Sequence, residues 1–419
     1  YTLVSVGLAL TLANQWMNAR WWRREPAGFA LVAAGFLLRT AGLALMAAWV
    51  AEALWRRQWR LGAVRAALAM MPFVAWQLHV SAVEHSAEYH APAYAYQRAP
   101  YQFYNVSYAE NLKLVDPFQP ELGRTTLRTL VARVGANLAA LPLAVGEAAS
   151  EARGMWAAPV KTLFYPGRKT VPWVDNAALV PVAIIAALAF AGWVILLRRR
   201  VWFPVWLIVG SVGLVCSTPW PQQFLRYLAP LAPFIAIAFT LGLVASVRTL
   251  QRVKRGATRI LGWSALATLL GGAAVAHAYA AANGMQSLRR VPPASPSNLD
   301  PAWSMRRWFY YDQGWADWDR AVAWIAENST PDAIVATDAP HLCYLMTGRR
   351  AVMPPMEADA GMAAQLLADV PVTYLVIDEL DFTDISRRYA APAVAHDSAG
   401  WKEVKRFNKT IIFERNERP

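Results

Sequence analysis

The chain has 419 residues, of which 56% are hydrophobic and only 16% charged, with a formal net charge of +13. That balance excludes an ordinary soluble single-domain enzyme. Residues 1–299 carry 28 Lys and Arg against 10 Asp and Glu, whereas residues 300–419 carry 13 against 18. One chain is therefore written for two solvents. The basic excess sits in short clusters between apolar runs, which is the pattern of the positive-inside rule and not of a nucleic-acid-binding face.

In chain order, the first apolar run, 1–16, opens without an initiator Met and is short for a membrane span, so the chain is expected to begin inside a larger protein. Runs of about 20 apolar residues able to span ~30 Å of hydrocarbon fall near 63–83, 177–197, 202–218, 224–246 and 260–283. With 1–16 and the composite stretch 27–54 they make seven hydrophobic units. Four basic clusters, Arg20/Arg23/Arg24, Arg56/Arg57/Arg60, Arg198 to Arg200, and Arg248 to Arg259, are assigned to the cytoplasmic side.

That assignment decides two doubtful segments. Residues 126–148 are read as an interfacial amphipathic helix, because crossing would force the Arg198 cluster outside and place Arg128 and Arg133 in hydrocarbon. Stretch 27–54 has basic flanks at both ends. One tilted helix is long enough, but a hairpin turning at Arg39-Thr40-Ala41-Gly42 satisfies the charges. The predicted architecture is an α-helical transmembrane bundle over 1–290, with an outer loop at 84–176, a Pro- and Ser-rich linker at 291–317, and a small C-terminal α/β soluble domain at 318–419. Within that domain the pattern predicts helices at 318–329, 358–369 and near 383–390. Strands are predicted at 333–338, at Ala351-Val352-Met353-Pro354-Pro355, and at 374–378, 402–407 and 410–415, with a polar turn at 340–349. The two cysteines, Cys216 and Cys343, are assigned neither a disulfide nor a metal.

Several residues point to chemistry. Arg39 lies deep in an apolar stretch and needs a partner, either a bound phosphate or a carboxylate such as Glu52; otherwise its side chain snorkels to the interface. Arg226 and Tyr227 stand at the mouth of a span distorted by Pro230 and Pro233, where Arg suits bidentate phosphate contact or serves as an interfacial anchor. The outer segment from Glu84 to Asp116 interleaves Tyr89, Tyr94, Tyr96, Tyr101, Phe103, Tyr104 and Tyr108 with His85, Glu88, His90, Arg98, Asn105 and Glu110. Aromatic faces beside hydrogen-bonding groups suit a sugar ring; the same tyrosines also suit an interfacial aromatic belt. Glu84, His85, Glu88 and His90 match no standard zinc spacing, and Asn105-Val106-Ser107 is a formal glycosylation sequon. The soluble domain has no Gly-rich phosphate loop or nucleophile elbow and reads as a substrate-positioning or regulatory module.

Three stretches, Leu37-Leu38-Arg39-Thr40-Ala41-Gly42, Arg226-Tyr227-Leu228-Ala229-Pro230-Leu231-Ala232-Pro233 and the outer domain with its helix from Asp317 to Asn328, resemble bacterial polytopic GT-C glycosyltransferases. The likeness is greatest to glycosyltransferase family 39, the protein mannosyltransferase and aminoarabinose transferase group. The resemblance implies transfer of a sugar from a polyprenyl-phosphate carrier to a lipid, glycan or protein acceptor, with inversion, at the outer face of a bacterial inner membrane. The C-terminal domain would then be periplasmic or extracellular. It implies carrier-phosphate contacts for Arg39, Arg226 and Tyr227, and substrate contacts for Glu84, Glu88, Tyr89, Tyr96, Arg98 and Asn105. The catalytic carboxylate is expected upstream of Tyr1. No cofactor is implied, though a divalent cation is compatible with this chemistry. The rival reading is a transporter or flippase for a lipid-linked saccharide, which calls for polar residues tracking across several spans or an internal repeat.

Overall fold

The computed structural model describes residues 2–15, 25–39, 41–91, 108–168, 170–219, 224–253, 256–290, 313–380 and 383–416. The chain divides into two compact units, residues 1–86 with 127–281, and residues 87–126 with 282–419.

The first unit is helical throughout its described residues. Its helices are α1 (Thr2–Gln15), α2 (Glu25–Leu38), α3 (Gly42–Trp55), α4 (Trp59–Glu84), α7 (Leu127–Ala149), α8 (Arg153–Phe164), α9 (Pro172–Ala177), α10 (Leu179–Arg198), α11 (Trp202–Ser217), α12 (Phe224–Leu228), α13 (Ala232–Arg252) and α14 (Gly256–Arg290). Five described stretches are long and apolar enough to cross a membrane: Trp59–Glu84, Leu127–Ala149, Pro172–Arg198, Phe224–Arg252 and Gly256–Gln286. Helix α11 has 16 residues and falls among the shorter apolar helices, as do α2 and α3.

Stretch 27–54 is two helices with a break at Arg39 to Ala41. Gly42 is required there, since a Cβ on it would fall 2.5 Å from the Phe36 backbone. The far ends of α2 and α3 are held together by Arg65 of α4. Its guanidinium donates to both Glu25 carboxylate oxygens at 2.8 and 2.9 Å, to Glu52 at 2.7 Å and to the Trp49 carbonyl at 2.9 Å. Glu52 also pairs with Arg56. Two arginines thus balance two glutamates in a site where Arg65 is 1% exposed, the arrangement that a buried charge demands. The expected alternative partner of Arg39, Glu52, is therefore taken: it binds Arg65 and Arg56 at the opposite end of α3, a helix of 14 residues or ~21 Å.

Helices α10 and α13 meet through Gly192 and Gly242, each lying against backbone of the other helix (Ala238 and Leu188) with no room for a Cβ. Small residues at such a contact let two backbones pack closely where water supplies no driving force. Helix α7 packs on α10 through Gly146, which abuts the carbonyl of Val182 in the first turn of α10. Its Asn137 donates to the carbonyls of Cys216 and Thr218 at the last turn of α11, at 2.9 and 3.0 Å. Both contacts lie at the ends of α10 and α11 remote from their Arg198 to Arg200 connection. By length and hydropathy α7 is among the stretches able to cross a membrane, whereas the charge pattern places 126–148 at the interface.

The second unit contains α5 (Ala87–His90), α6 (Tyr108–Lys113), α15 (Gln313–Asn328), β1 (Ile334–Ala336), α16 (Pro340–Thr347), β2 (Arg350–Val352), α17 (Ala360–Asp369), β3 (Tyr374–Ile377), a π-helical turn (Ser386–Ala390), α18 (Ala391–His396), β4 (Trp401–Phe407) and β5 (Thr410–Arg415). The sheet order is β2-β1-β3-β5-β4, with β1 parallel to β2 and β3, and β5 antiparallel to β3 and β4. The buried strands β1 and β3 are continuous apolar runs, as a parallel sheet covered on both faces requires. One face packs Val335, Val376 and Ile412 against Trp318, Val322, Ile325 and Cys343; the other packs Ala336, Leu375 and Ile377 against Ala363, Leu367 and Ala393. The polar turn expected at 340–349 is instead helix α16. Pro340 occupies its first turn, where a missing N–H costs nothing, and Gly348 ends it in the left-handed conformation with φ 68°. Cys216 and Cys343 are both free and buried.

Candidate functional site

The α2/α3 turn and helix α12 bring three of the expected residues together. Tyr227 lies within electrostatic reach of both the Arg226 and Arg39 guanidinium groups. Arg39 is half-buried, Arg226 exposed and Tyr227 half-buried. Among the described residues, no carboxylate pairs with Arg39 or Arg226. The break between α2 and α3 positions Arg39, and the short α12, followed by a 3₁₀ turn over Ala229–Leu231, positions Arg226 and Tyr227.

Immediately beyond Tyr227 the chain lines an apolar cavity of about 270 Å³. Its walls include Leu138, Phe190, Trp193, Ile208, Leu228 and Ile235, drawn from α7, α10, α11, α12 and the start of α13. The indole N–H of Trp193 is buried without a partner. Reading the sequence did not single out this cavity, because its lining residues are common apolar types whose convergence depends on how these helices cross.

Of the other expected site residues, Glu84 and Tyr89 are those with described side chains. Glu84 is exposed at the last residue of α4. Tyr89 sits on α5 with its ring edge-on to His90 at 6.0 Å. Tyr96, Arg98 and Asn105 lie outside the described residues, as does the Glu88 side chain. Among the described residues, no group of three or more His, Cys, Asp or Glu side chains comes together in a way that could hold a metal ion.

The soluble domain holds an acidic pair that the sequence reading did not identify. In chain order β2 is added on one side of β1 and β3 on the other, so the carboxyl ends of β1 and β3 flank a reversal of strand order. Asp338 follows β1 and Asp378 follows β3; both are fully buried. The Ser386 N–H donates to Asp338 at 2.7 Å, the Leu380 N–H donates to Asp378 at 3.1 Å, and one oxygen of each carboxyl has no partner. Burial raises both: Asp338 is pushed up to about 7, and Asp378, beside Asp338, well above the ordinary carboxylate range.

This sets a pH dependence. A carboxyl whose value is ~3.9 unfolded and about 7 folded contributes stability that is full below pH ~4 and is lost as pH rises through 7. The expected result is that the exchange protection of β1 and β3 amides in the full chain, corrected for intrinsic rates, falls between pH 5 and 8. The Asp378→Asn variant should show a flatter slope over the same range. An unchanged slope would mean the pair does not carry the titration.

The chain is mostly helical, with five described helices long and apolar enough to cross a membrane, and carries a small C-terminal domain built on a mixed sheet. Comparison with protein-family models, with characterised proteins and with solved structures finds no match.

Proposed function

We propose that this chain belongs to a membrane glycosyltransferase that takes a sugar from a polyprenyl-phosphate carrier and passes it to a lipid, glycan or protein acceptor at the outer membrane face. The observation that carries the reading is the convergence of Arg39, Arg226 and Tyr227 beside an apolar cavity. Two guanidiniums with no carboxylate partner among the described residues, and a phenol, suit a phosphate, while the adjoining apolar walls suit the first isoprene units of its chain. An amphiphile with an anionic head is the ligand class that this pairing of features fits.

In the proposed reaction an acceptor hydroxyl attacks the anomeric carbon as the bond from that carbon to the carrier phosphate breaks, with inversion. The electron pair leaves on the phosphate oxygen, where Arg39 and Arg226 stabilise charge that grows toward the transition state. The hydroxyl proton goes to a carboxylate base, a role that no residue of this chain is given.

The contacts of α7 and the position of the four basic clusters are compatible with Arg39 and Arg226 at the outer face and the Arg198 to Arg200 turn at the cytoplasmic one. The rival reading, a transporter or flippase, calls for a polar path through the bundle. Helices α10 and α11 carry no charged residue before their last turns and α13 none before Arg248, which favours the transferase.

The test is incubation of the full-length protein that contains this chain, in detergent or liposomes, with radiolabelled polyprenyl-phosphate sugars and a cell-envelope acceptor extract. Transfer of label out of the lipid fraction is expected. Label that stays in the carrier, or that crosses the bilayer still attached to it, would overturn the reading.

A further inference from the structure

Helices α8 and α9 are packed together in a part of the bundle that the transferase reading does not use. Phe164 ends α8, and Tyr165-Pro166-Gly167-Arg168 then turns the chain: the Arg168 N–H donates to the Tyr165 carbonyl at 3.1 Å, and Gly167 takes φ 80°. Pro followed by a Gly at positive φ is what a type II turn demands. Helix α9 is tied back onto α8. Asp175 accepts from the Lys161 ammonium at 2.8 Å and from the Val171 N–H at 3.0 Å, while Ala157, Val171, Val174 and Ala178 form a small apolar core.

The exposed side of this pair is apolar where a surface facing water would be polar. Leu163 is 72% exposed, Phe164 66% and Trp173 60%. The Tyr165 ring lies edge-on to Trp173 at 6.1 Å, and Arg168 is exposed on the same turn. Two independent observations say which medium lies there. Trp173 is the second residue of Pro172–Arg198, a stretch long and apolar enough to cross a membrane, so it stands where that stretch would enter. Helix α8 also lies against the interior of another such stretch, Gly256–Gln286 of α14. A Cβ on Gly272 would fall 2.9 Å from the Trp156 ring, the hydroxyls of Thr162 and Tyr279 are 2.9 Å apart, and Glu151 meets His277 at 2.9 Å. A short helix set beside membrane-crossing stretches, with an apolar tip that protein leaves exposed, meets lipid.

We propose that α8 and the turn after it form an interfacial foot resting in the lipid leaflet at the start of α10, with Leu163, Phe164 and Trp173 among the upper acyl carbons and Arg168 on a lipid phosphate. The occupant of this surface is the bilayer itself. Two aromatic rings at the level where a span begins suit the headgroup boundary, and a guanidinium on the adjoining turn suits the phosphate above it. The foot concerns how the helical bundle sits in its lipid, and it stands whether or not the chain transfers a sugar.

The experiment uses the full-length protein that contains this chain, reconstituted into vesicles of phosphatidylethanolamine and phosphatidylglycerol. Leu163→Cys, Phe164→Cys and Trp173→Cys are each labelled with a fluorophore, with the unsubstituted protein as the labelling blank. Ile184→Cys, 45% exposed on α10, reports the acyl interior, and Lys409→Cys, with its side chain 74% exposed in the C-terminal domain, reports water. Probes at 163, 164 and 173 are expected to be quenched by nitroxide lipids labelled near the glycerol, and by aqueous iodide at least about fivefold less than the probe at 409. Iodide quenching equal to that at 409 overturns the foot, because the surface then faces water. Quenching by neither agent overturns it too, because protein then covers the surface. Stronger quenching by nitroxides deep in the chains, as expected for 184, overturns the interfacial depth. Arg168→Glu should raise iodide quenching of the 164 probe roughly fivefold, the weight of one basic residue at an anionic surface, while Arg168→Lys should leave it unchanged. No change in Arg168→Glu overturns the phosphate contact.

Discussion

Arg65→Ala is expected to destabilise the helical bundle by about 3–5 kcal/mol, measured as lost resistance to heat or denaturant for the detergent-solubilised chain followed by tryptophan fluorescence. The size follows from what is left behind. Arg65 makes four hydrogen bonds, two of them to Glu25. Glu52 retains Arg56 after the substitution, whereas Glu25, 6% exposed, loses both hydrogen bonds that Arg65 gives it. Adding Glu25→Gln to Arg65→Ala should therefore restore part of the loss, a coupling that independent sites would not show. Arg65→Lys should fall between, because an ammonium cannot span two carboxylates and a carbonyl as a planar guanidinium does. Equal losses for the single and double variants would mean that Glu25 is not held as a buried charge.

Arg39→Ala and Arg226→Ala should behave in the opposite way. Neither side chain pairs with a carboxylate among the described residues, so the change in stability is expected within about 0.5 kcal/mol. Their effect should appear on the ligand. A hydrogen bond to a charged group contributes about 1.5–3 kcal/mol, which corresponds to a loss of roughly 10- to 150-fold in affinity for a polyprenyl-phosphate sugar at each position. Lysine at either position should recover part of the affinity through its charge and less through geometry. The measurement is equilibrium binding of radiolabelled donor to the full chain. Donor affinity unchanged in both variants would remove the two arginines from the phosphate site.

These three arginines show what could and could not be read along the chain. Arg39 was visible as an isolated charge in an apolar stretch, and Arg226 as a cation before a proline-distorted helix. Both inferences need only the local cost of a charge in hydrocarbon. Arg65 was invisible for the converse reason: it lies near the beginning of an apolar run, where a cation is an ordinary interfacial residue. Its importance comes from Glu25 and Glu52, 40 and 13 positions away, and only the packing of α4 on the α2/α3 hairpin brings them within 3 Å. The assignment of Glu52 as a partner for Arg39 failed because proximity in sequence was used where the hairpin sends the two ends of α3 apart.

The soluble domain divides along the same line. Its buried strands and the amphipathic α15 were legible from periodicity, since those signals repeat within a few residues. Helix α16 was missed because eight residues hold barely two turns, too few for a helical period to stand out from a polar turn. The Asp338 and Asp378 pair was missed because each is a single acid after a strand; only the strand order makes the two strand ends adjacent. The hydrogen bond that Tyr389 donates to Glu121 joins positions 268 residues apart and has no local signature.

By itself, then, the sequence left stretch 27–54 open between one tilted span and a hairpin turning at Arg39, and determined the apolar helices and the α/β pattern of the C-terminal domain. Composition and short-range periodicity encode these directly, because burial and solvation act residue by residue. Tertiary structure alone decided which charges neutralise each other, that Tyr227 lies within electrostatic reach of both Arg39 and Arg226, and that residues 113–125 belong with the C-terminal domain. Those outcomes depend on helix crossings and strand order, where pairwise distances, and not residue types, carry the energy.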